Sequence, residues 1–161
     1  MGIATAGGEL PEDWRRIIAD ALRRGMRIVN GLHTFIDDDP EFAPLALEHG
    51  GELVDVRRPP GDLVVSANEA RNTPCFRVHT VGHDCGVGKM LTALELTAAL
   101  RERGHTAEFL ATGQTGIMIS GSGIPIDAVV SDFVAGAAEQ LVLEKRDSEF
   151  VLIEGQGSLV H

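Results

Sequence analysis

A glycine-rich run joins a strand-like segment to a helix-like one, and this junction constrains the chain more than any other feature. Phe76-Arg77-Val78-His79-Thr80-Val81 alternates and is rich in β-branched residues. Gly82-His83-Asp84-Cys85-Gly86-Val87-Gly88-Lys89 follows. An apolar pattern at helical spacing then runs from about Lys89 to Arg103, with Leu91, Leu94, Glu95, Ala98 and Ala99 marking its register and Gly104 as its stop. Small residues at such a junction let backbone N–H groups converge on phosphate oxygens at the positive end of a helix. Gly86 and Gly88 permit close approach, and Lys89 supplies the charge that reaches outer phosphates. The run therefore reads as a phosphate-binding P-loop. Gly82, His83, Asp84, Cys85, Gly86, Val87, Gly88, Lys89, Met90 and Leu91 are expected to surround a nucleotide or another phosphate-bearing cofactor. The strict pattern G-x-x-x-x-G-K-[ST] is not met. Anchored on Gly88-Lys89, its first glycine falls on His83, and Met90 stands where a hydroxyl normally binds Mg²⁺.

Composition sharpens this reading. The 161 residues carry 24 acidic and 14 basic side chains, a formal net charge of -10. A field of that sign argues against general nucleic-acid or anionic-membrane binding, so an anionic ligand needs a local site of amides and one or two cations. Aromatic residues are only 4%, with no Tyr, so the core must be built from Leu, Val, Ile and Ala, which suits a parallel sheet covered by helices. Cys75 and Cys85 give no disulfide framework, and a reducing cytoplasm is the expected compartment. Met1–Gly8 has no basic region and no long apolar run, so no signal peptide is expected. The apolar stretches fall short of the roughly 18–20 residues a membrane helix needs.

Two regions meet at a proline-rich boundary, and domains over 1–60 and 61–161 are expected. In the first, Pro11-Glu12-Asp13-Trp14 opens a helix whose repeat is Trp14, Ile17, Ile18, Ala21 and Leu22, ended by Gly25. Arg27–Gly31 reads as a strand, Glu41 to His49 as a helix, and Glu52–Val56 as a second strand. This order predicts part of a Rossmann-like α/β domain, without the Gly-x-Gly-x-x-Gly of a dinucleotide site. Arg57 and Arg58 read as a solvated pair at the linker Arg57–Gly61.

In the second region the P-loop helix leads to a strand over Thr106–Ala111, a helix from about Ile126 to Leu141, and a buried strand over Glu149–Ile153. The fold class is thus α/β: a P-loop NTPase-like parallel sheet, in part, preceded by part of a Rossmann-like domain. Three strands would leave a bare parallel edge, so the chain is expected to be a fragment or to complete its sheet by association, as a homo-oligomer. Glu154 should emerge at the C-terminal edge of the sheet, where open α/β folds bind ligands, as a catalytic group or metal ligand, with Gly155, Gln156 and Gly157 around it. Thr112-Gly113-Gln114-Thr115-Gly116 leaves a strand at the same edge. Gln114, Thr115 and Gly116 there, with Gln156, are candidates for binding a polar substrate, unless the segment is a flexible turn. Gly121-Ser122-Gly123 is placed in the same mouth. Asp127 and Asp132 are either second metal ligands or acids at a helix N-terminus or on a solvated face. Asp84 must face a metal, an amine or the protein, and Cys85 suits packing. His33, His49, His79, His105 and His161 lack metal-ligand spacing.

Val81–Lys89 with Ala93-Leu94-Glu95-Leu96, then Ala111–Gly116, then Glu154-Gly155-Gln156-Gly157-Ser158, resemble the D-glutamate N-acetyltransferase family, long known only as a domain of unknown function. Gly31-Leu32-His33 through Val54–Pro60 resembles the end of that family's N-terminal domain. The resemblance implies a Rossmann-like domain followed by a P-loop domain, in a protein about twice as long. It implies acetyl transfer from acetyl-CoA to the amino group of D-glutamate, a small amino-acid substrate. Lys89 and the loop amides would then hold coenzyme phosphates, while Gln114, Thr115 and Glu154 handle the amino acid, with Glu154 as the base. More distantly, the loop and Glu154–Gly157 resemble dethiobiotin synthetase, which implies ATP. Lys89 would stabilise phosphoryl transfer there and Glu154 would hold Mg²⁺, although Met90 lacks the usual hydroxyl. A nucleotide-binding module without turnover is the third expectation.

Overall fold

The structure is a computed structural model, and it describes residues 9–159. The readings made on Met1–Gly8 and His161 lie outside the described residues. The chain divides into two compact units between Arg58 and Pro59.

In the first unit, helix α1 (Glu12–Arg23) is followed by strand β1 (Arg27–Asn30), helix α2 (Phe42–His49) and strand β2 (Glu52–Asp55), with β1 and β2 parallel and paired Arg27 to Glu52 through Asn30 to Asp55. Ile18, Ala19 and Leu22 of α1 pack with Ile36, Phe42 and Ala46. Ile17, expected in that stripe, is 65% exposed. The inward row is instead 15, 18, 19 and 22, at helical spacing, because Arg15 lays its guanidinium 4.4 Å over the Phe42 ring and keeps its charge outward. That guanidinium pairs with Asp39 at 2.8 Å and with Glu41 at 2.7 Å.

Arg57 and Arg58 are not merely solvated. Arg57 Nε donates to Gly31 O at 2.9 Å, and Arg58 bonds Asp37 and Asp38 while lying 4.2 Å over Phe35. Between them the 31–38 loop is tied down. Fully buried Asn30 and half-buried Asp55 complete that lock: Asn30 Nδ2 donates to Asp55, whose other oxygen accepts the amides of Ile36 and Asp37 at 2.8 and 2.9 Å.

The second unit begins with a one-turn 3₁₀ helix (Glu69–Asn72) and continues through β3 (Phe76–His79), α3 (Lys89–Glu102), β4 (Ala107–Leu110), α4 (Gln114–Ser120), α5 (Val134–Glu144) and β5 (Phe150–Ile153). The sheet order is β3-β5-β4, all parallel, so β5 is central and pairs on both sides. Its residues alternate between faces. Val151 joins Cys75, Leu110, Ile124, Ala137, Leu141 and Val142 beneath α5, while Leu152 joins Ala93 and Ala107 beneath α3. This is a three-layer α/β/α arrangement, the expected fold class. β4 does not present a wholly bare edge: the outward carbonyls of Ala107 and Ala111 accept Arg101 Nε at 2.7 Å and Ile124 N at 3.2 Å.

Two helices depart from expectation. On α3 the buried residues are Ala93 and Thr97, with Leu100 partly buried, while Leu91 is 57% exposed. Small side chains let the helix lie close on the sheet, and the Thr97 hydroxyl is satisfied by Ala93 O at 2.7 Å. The helix expected from Ile126 to Leu141 is two 3₁₀ turns (Ile126–Ala128 and Ser131–Phe133) before α5, because the β-branched pair Val129-Val130 is extended. Gly136 lets α5 settle on the preceding chain, since a Cβ there would meet Val64 O at 1.7 Å.

The Arg15–Asp39 bond sets a pH dependence for the first unit. The Arg15 guanidinium holds the Asp39 carboxyl below its ordinary value of 3.8. A depressed carboxyl contributes stability above the unfolded value, and that contribution is lost as pH falls through the folded one. Burial pushes Asp55 the opposite way, so the assignment needs a single-residue change. Asp39→Asn is expected to lower stability at pH 7 and to flatten the acid limb below about pH 4, measured by urea unfolding at several pH values.

Candidate functional site

The C-terminal ends of β3, β5 and β4 open on one side of the sheet, where α/β folds hold ligands. Three loops leave there: Thr80–Gly88 after β3, Glu154–Leu159 after β5, and Ala111–Gly113 after β4. The first is shaped by glycines. Gly86 and Gly88 have φ of +70° and +98°, the left-handed region that a β-carbon disfavours, and Gly88 is the residue from which α3 starts. Gly82, one residue displaced from the strict pattern, has a steric reason: a Cβ would meet Val87 Cγ2 at 2.7 Å.

Lys89 lies at the first position of α3. Its Nζ donates to Asp84 O and to Gly157 O, both at 2.7 Å, so the cation bridges the phosphate loop and the loop after β5. Leu159 N donates to Gly82 O at 3.0 Å and makes the same connection in the backbone. Asp84 is exposed, and its Oδ1 accepts the neighbouring amide, Cys85 N, at 2.7 Å.

Glu154 is only 5% exposed and directly follows β5. Its Oε2 accepts the amides of Thr112 at 2.9 Å and Gly113 at 3.1 Å, and its carbonyl accepts Thr112 Oγ1 at 2.7 Å. Two buried amides thus share one carboxylate oxygen, and orphaning either costs about 1–3 kcal/mol. On the other side of β5, Gly155 N donates to Thr80 Oγ1 at 3.1 Å. Gly155 approaches β3 so closely that a Cβ would lie 1.8 Å from Thr80 O.

A cleft of about 350 Å³ lies between these loops. Of the expected cofactor residues, Cys85, Gly86, Gly88, Lys89, Met90 and Leu91 line it. Gln114, Thr115, Glu154 and Gln156 line it as well, so the two candidate substrate segments and the phosphate loop meet in one place. Gly82, His83, Asp84, Val87 and Gly116 are not among the lining residues; Gly82 and Asp84 brace the loop, and Gly116 backs Glu154. The Thr112–Gly116 segment is no flexible turn, because α4 starts at Gln114. Gly121, Ser122 and Gly123 lie away from the cleft lining, with Gly121 ending α4 at φ +80°. Asp127 and Asp132 sit in the 3₁₀ turns, also outside the lining. Among the described residues, no three His, Cys, Asp or Glu side chains gather as a metal site.

Thr112 and Gly113 were placed at this edge by the sequence, but not their bonds to Glu154, nor that of Thr80 to Gly155; these span 41 to 75 positions and leave no local pattern. Ser158, in the last of the motifs, has a buried Oγ with no hydrogen-bond partner among the described residues.

A parallel sheet with a glycine loop and lysine at its C-terminal edge defines a P-loop α/β protein. The chain belongs to the DUF1611 family: residues 64–161 match its domain of unknown function described as a P-loop domain, and residues 1–59 match its N-terminal, Rossmann-like domain. Proteins named D-glutamate N-acetyltransferase from Tritonibacter scottomollicae and a Pseudoalteromonas species are 42% and 43% identical over all 161 residues. The chain spans about half the length of these curated relatives, 48% of each. A crystal structure of a DUF1611 family protein from Anabaena variabilis superposes with a TM-score of 0.93 at 48% identity, over 99% of this chain and 46% of that one. Among the described residues no helix is long and apolar enough to cross a membrane.

The Thr80–Gly155 approach yields a direct test. Gly155→Ala forces two backbones apart and should lower unfolding free energy by at least about 1–3 kcal/mol in urea titration. Gly61→Ala, with nothing within 4 Å of the new Cβ, should not lower it.

Proposed function

We propose that the cleft serves acetyl transfer from acetyl-CoA to the amino group of D-glutamate, with the P-loop holding the coenzyme's phosphates. The observation that carries this reading is the meeting of the phosphate loop with Gln114, Thr115 and Gln156 in one cleft, in a chain whose relatives bear that activity in their names. Amides of a glycine loop at the start of a helix, beside one lysine, are the donors a diphosphate takes on an acidic protein. The coenzyme, when bound, supplies the activated acyl group. Lys89 and the loop amides would hold its phosphates, the bond of an ammonium to an anion being stronger than those Lys89 makes to Asp84 O and Gly157 O. Gln114, Thr115 and Gln156 hold the polar amino acid. Met90, in place of the hydroxyl that normally binds Mg²⁺, favours phosphate recognition over metal-assisted phosphoryl transfer.

Calorimetric titration of the chain with acetyl-CoA and with Mg·ATP, repeated on Lys89→Met, tests the reading. Acetyl-CoA should bind, and the variant should bind it at least about tenfold more weakly, the effect of losing one charge-assisted contact. Selective binding of Mg·ATP would overturn the reading in favour of a ligase or kinase for a small carboxylate.

A further inference from the structure

We propose that Glu154 is a positioning residue, which fixes the start of α4 so that Gln114 and Thr115 face the phosphate loop, and that its task is neither proton abstraction nor metal binding. For the reaction it serves, this rests on the acetyl-transfer reading. Residues 111–113 leave β4 as buried, extended backbone whose polar groups need partners. The carbonyls of Ala111 and Thr112 accept Ile124 N and Ile126 N. The amides of Thr112 and Gly113 both end on Glu154 Oε2, at 2.9 and 3.1 Å.

An oxygen that accepts two amides is held by the protein itself. The first turn of α4 is also built around it: a Cβ on Gly116 would lie 2.3 Å from Oε2. Glu154 O accepts the Thr112 hydroxyl at 2.7 Å, so one residue grips the segment through side chain and backbone together. Directly beyond the grip come Gln114 and Thr115, which line the cleft. No three His, Cys, Asp or Glu side chains gather at Glu154 among the described residues, and Met90 stands where a hydroxyl would share Mg²⁺ with it. The carboxylate therefore acts through the segment it holds.

The test compares the unmodified chain with Glu154→Gln, Glu154→Ala and Gly116→Ala. Backbone amide exchange by NMR is followed together with acetyl transfer to D-glutamate as a function of pH. In Glu154→Gln the amide oxygen can still accept both N–H groups. That variant should keep exchange at Thr112 and Gly113 within about threefold and kcat within about tenfold, with the pH profile unmoved. Glu154→Ala and Gly116→Ala should speed exchange at those two amides by at least about tenfold, with Val78 and Leu152 unaffected, and raise KM for D-glutamate more than they lower kcat.

The proposal is overturned if Glu154→Gln loses about 10²–10⁴-fold in kcat while the amides stay protected, the mark of a general base. It is also overturned if Mg²⁺ binds the unmodified chain and not Glu154→Gln, or if Glu154→Ala leaves exchange at Thr112 and Gly113 unchanged. No binding of acetyl-CoA by the unmodified chain, with the exchange pattern as expected, would sink the reaction reading and still support the grip.

Discussion

The end of β5 is the point on which the P-loop unit depends. Within two residues it contacts both neighbouring strands in different ways. Gly155 approaches β3 closely enough that only a hydrogen fits against Thr80 O, and Glu154 turns the opposite way to hold the amides after β4. A sheet edge normally frays into loops with water as their partner. Here the loop amides are buried and the carboxylate replaces that water. The cost of removing either contact falls on the geometry of the cleft, because Lys89 bonds Gly157 O two residues beyond Gly155.

Electrostatics are handled locally. The chain carries a formal charge of -10, and its long-range field would repel a phosphate. The phosphate loop answers with one lysine and the amides at the start of a helix, short-range donors that a net charge does not cancel. In the first unit each of two arginines bridges a pair of acids: Arg15 takes Asp39 and Glu41, and Arg58 takes Asp37 and Asp38.

The sequence made the fold class legible because the relevant signals are local. The glycine run before Lys89, the apolar run Phe150–Ile153 and the glycine stops at Gly25, Gly50 and Gly104 each act within a few residues. What remained hidden is non-local or depends on close packing. The row of α1 that faces inward includes Arg15, which a hydrophobic count cannot choose over Ile17. The inward row of α3 is small and partly polar for the same reason. The helix expected from Ile126 is broken where the β-branched pair Val129-Val130 is extended and Val129 packs on the core beneath α5. At the site, the phosphate loop could be read residue by residue. The grip of Glu154 on Thr112 and Gly113 could not, since it joins positions more than forty apart.

The central claim is that one cleft, framed by the ends of β3, β5 and β4, receives the coenzyme's phosphates. Amide chemical-shift mapping of the ¹⁵N-labelled chain on addition of acetyl-CoA reads this directly. The largest, saturable shifts are expected at Gly86, Gly88 and Lys89, with smaller ones at Gln114 and Gln156 and none at Ile28 or Leu53 of the first unit's strands. Shifts confined to that unit, or spread without saturation over the surface, would contradict it.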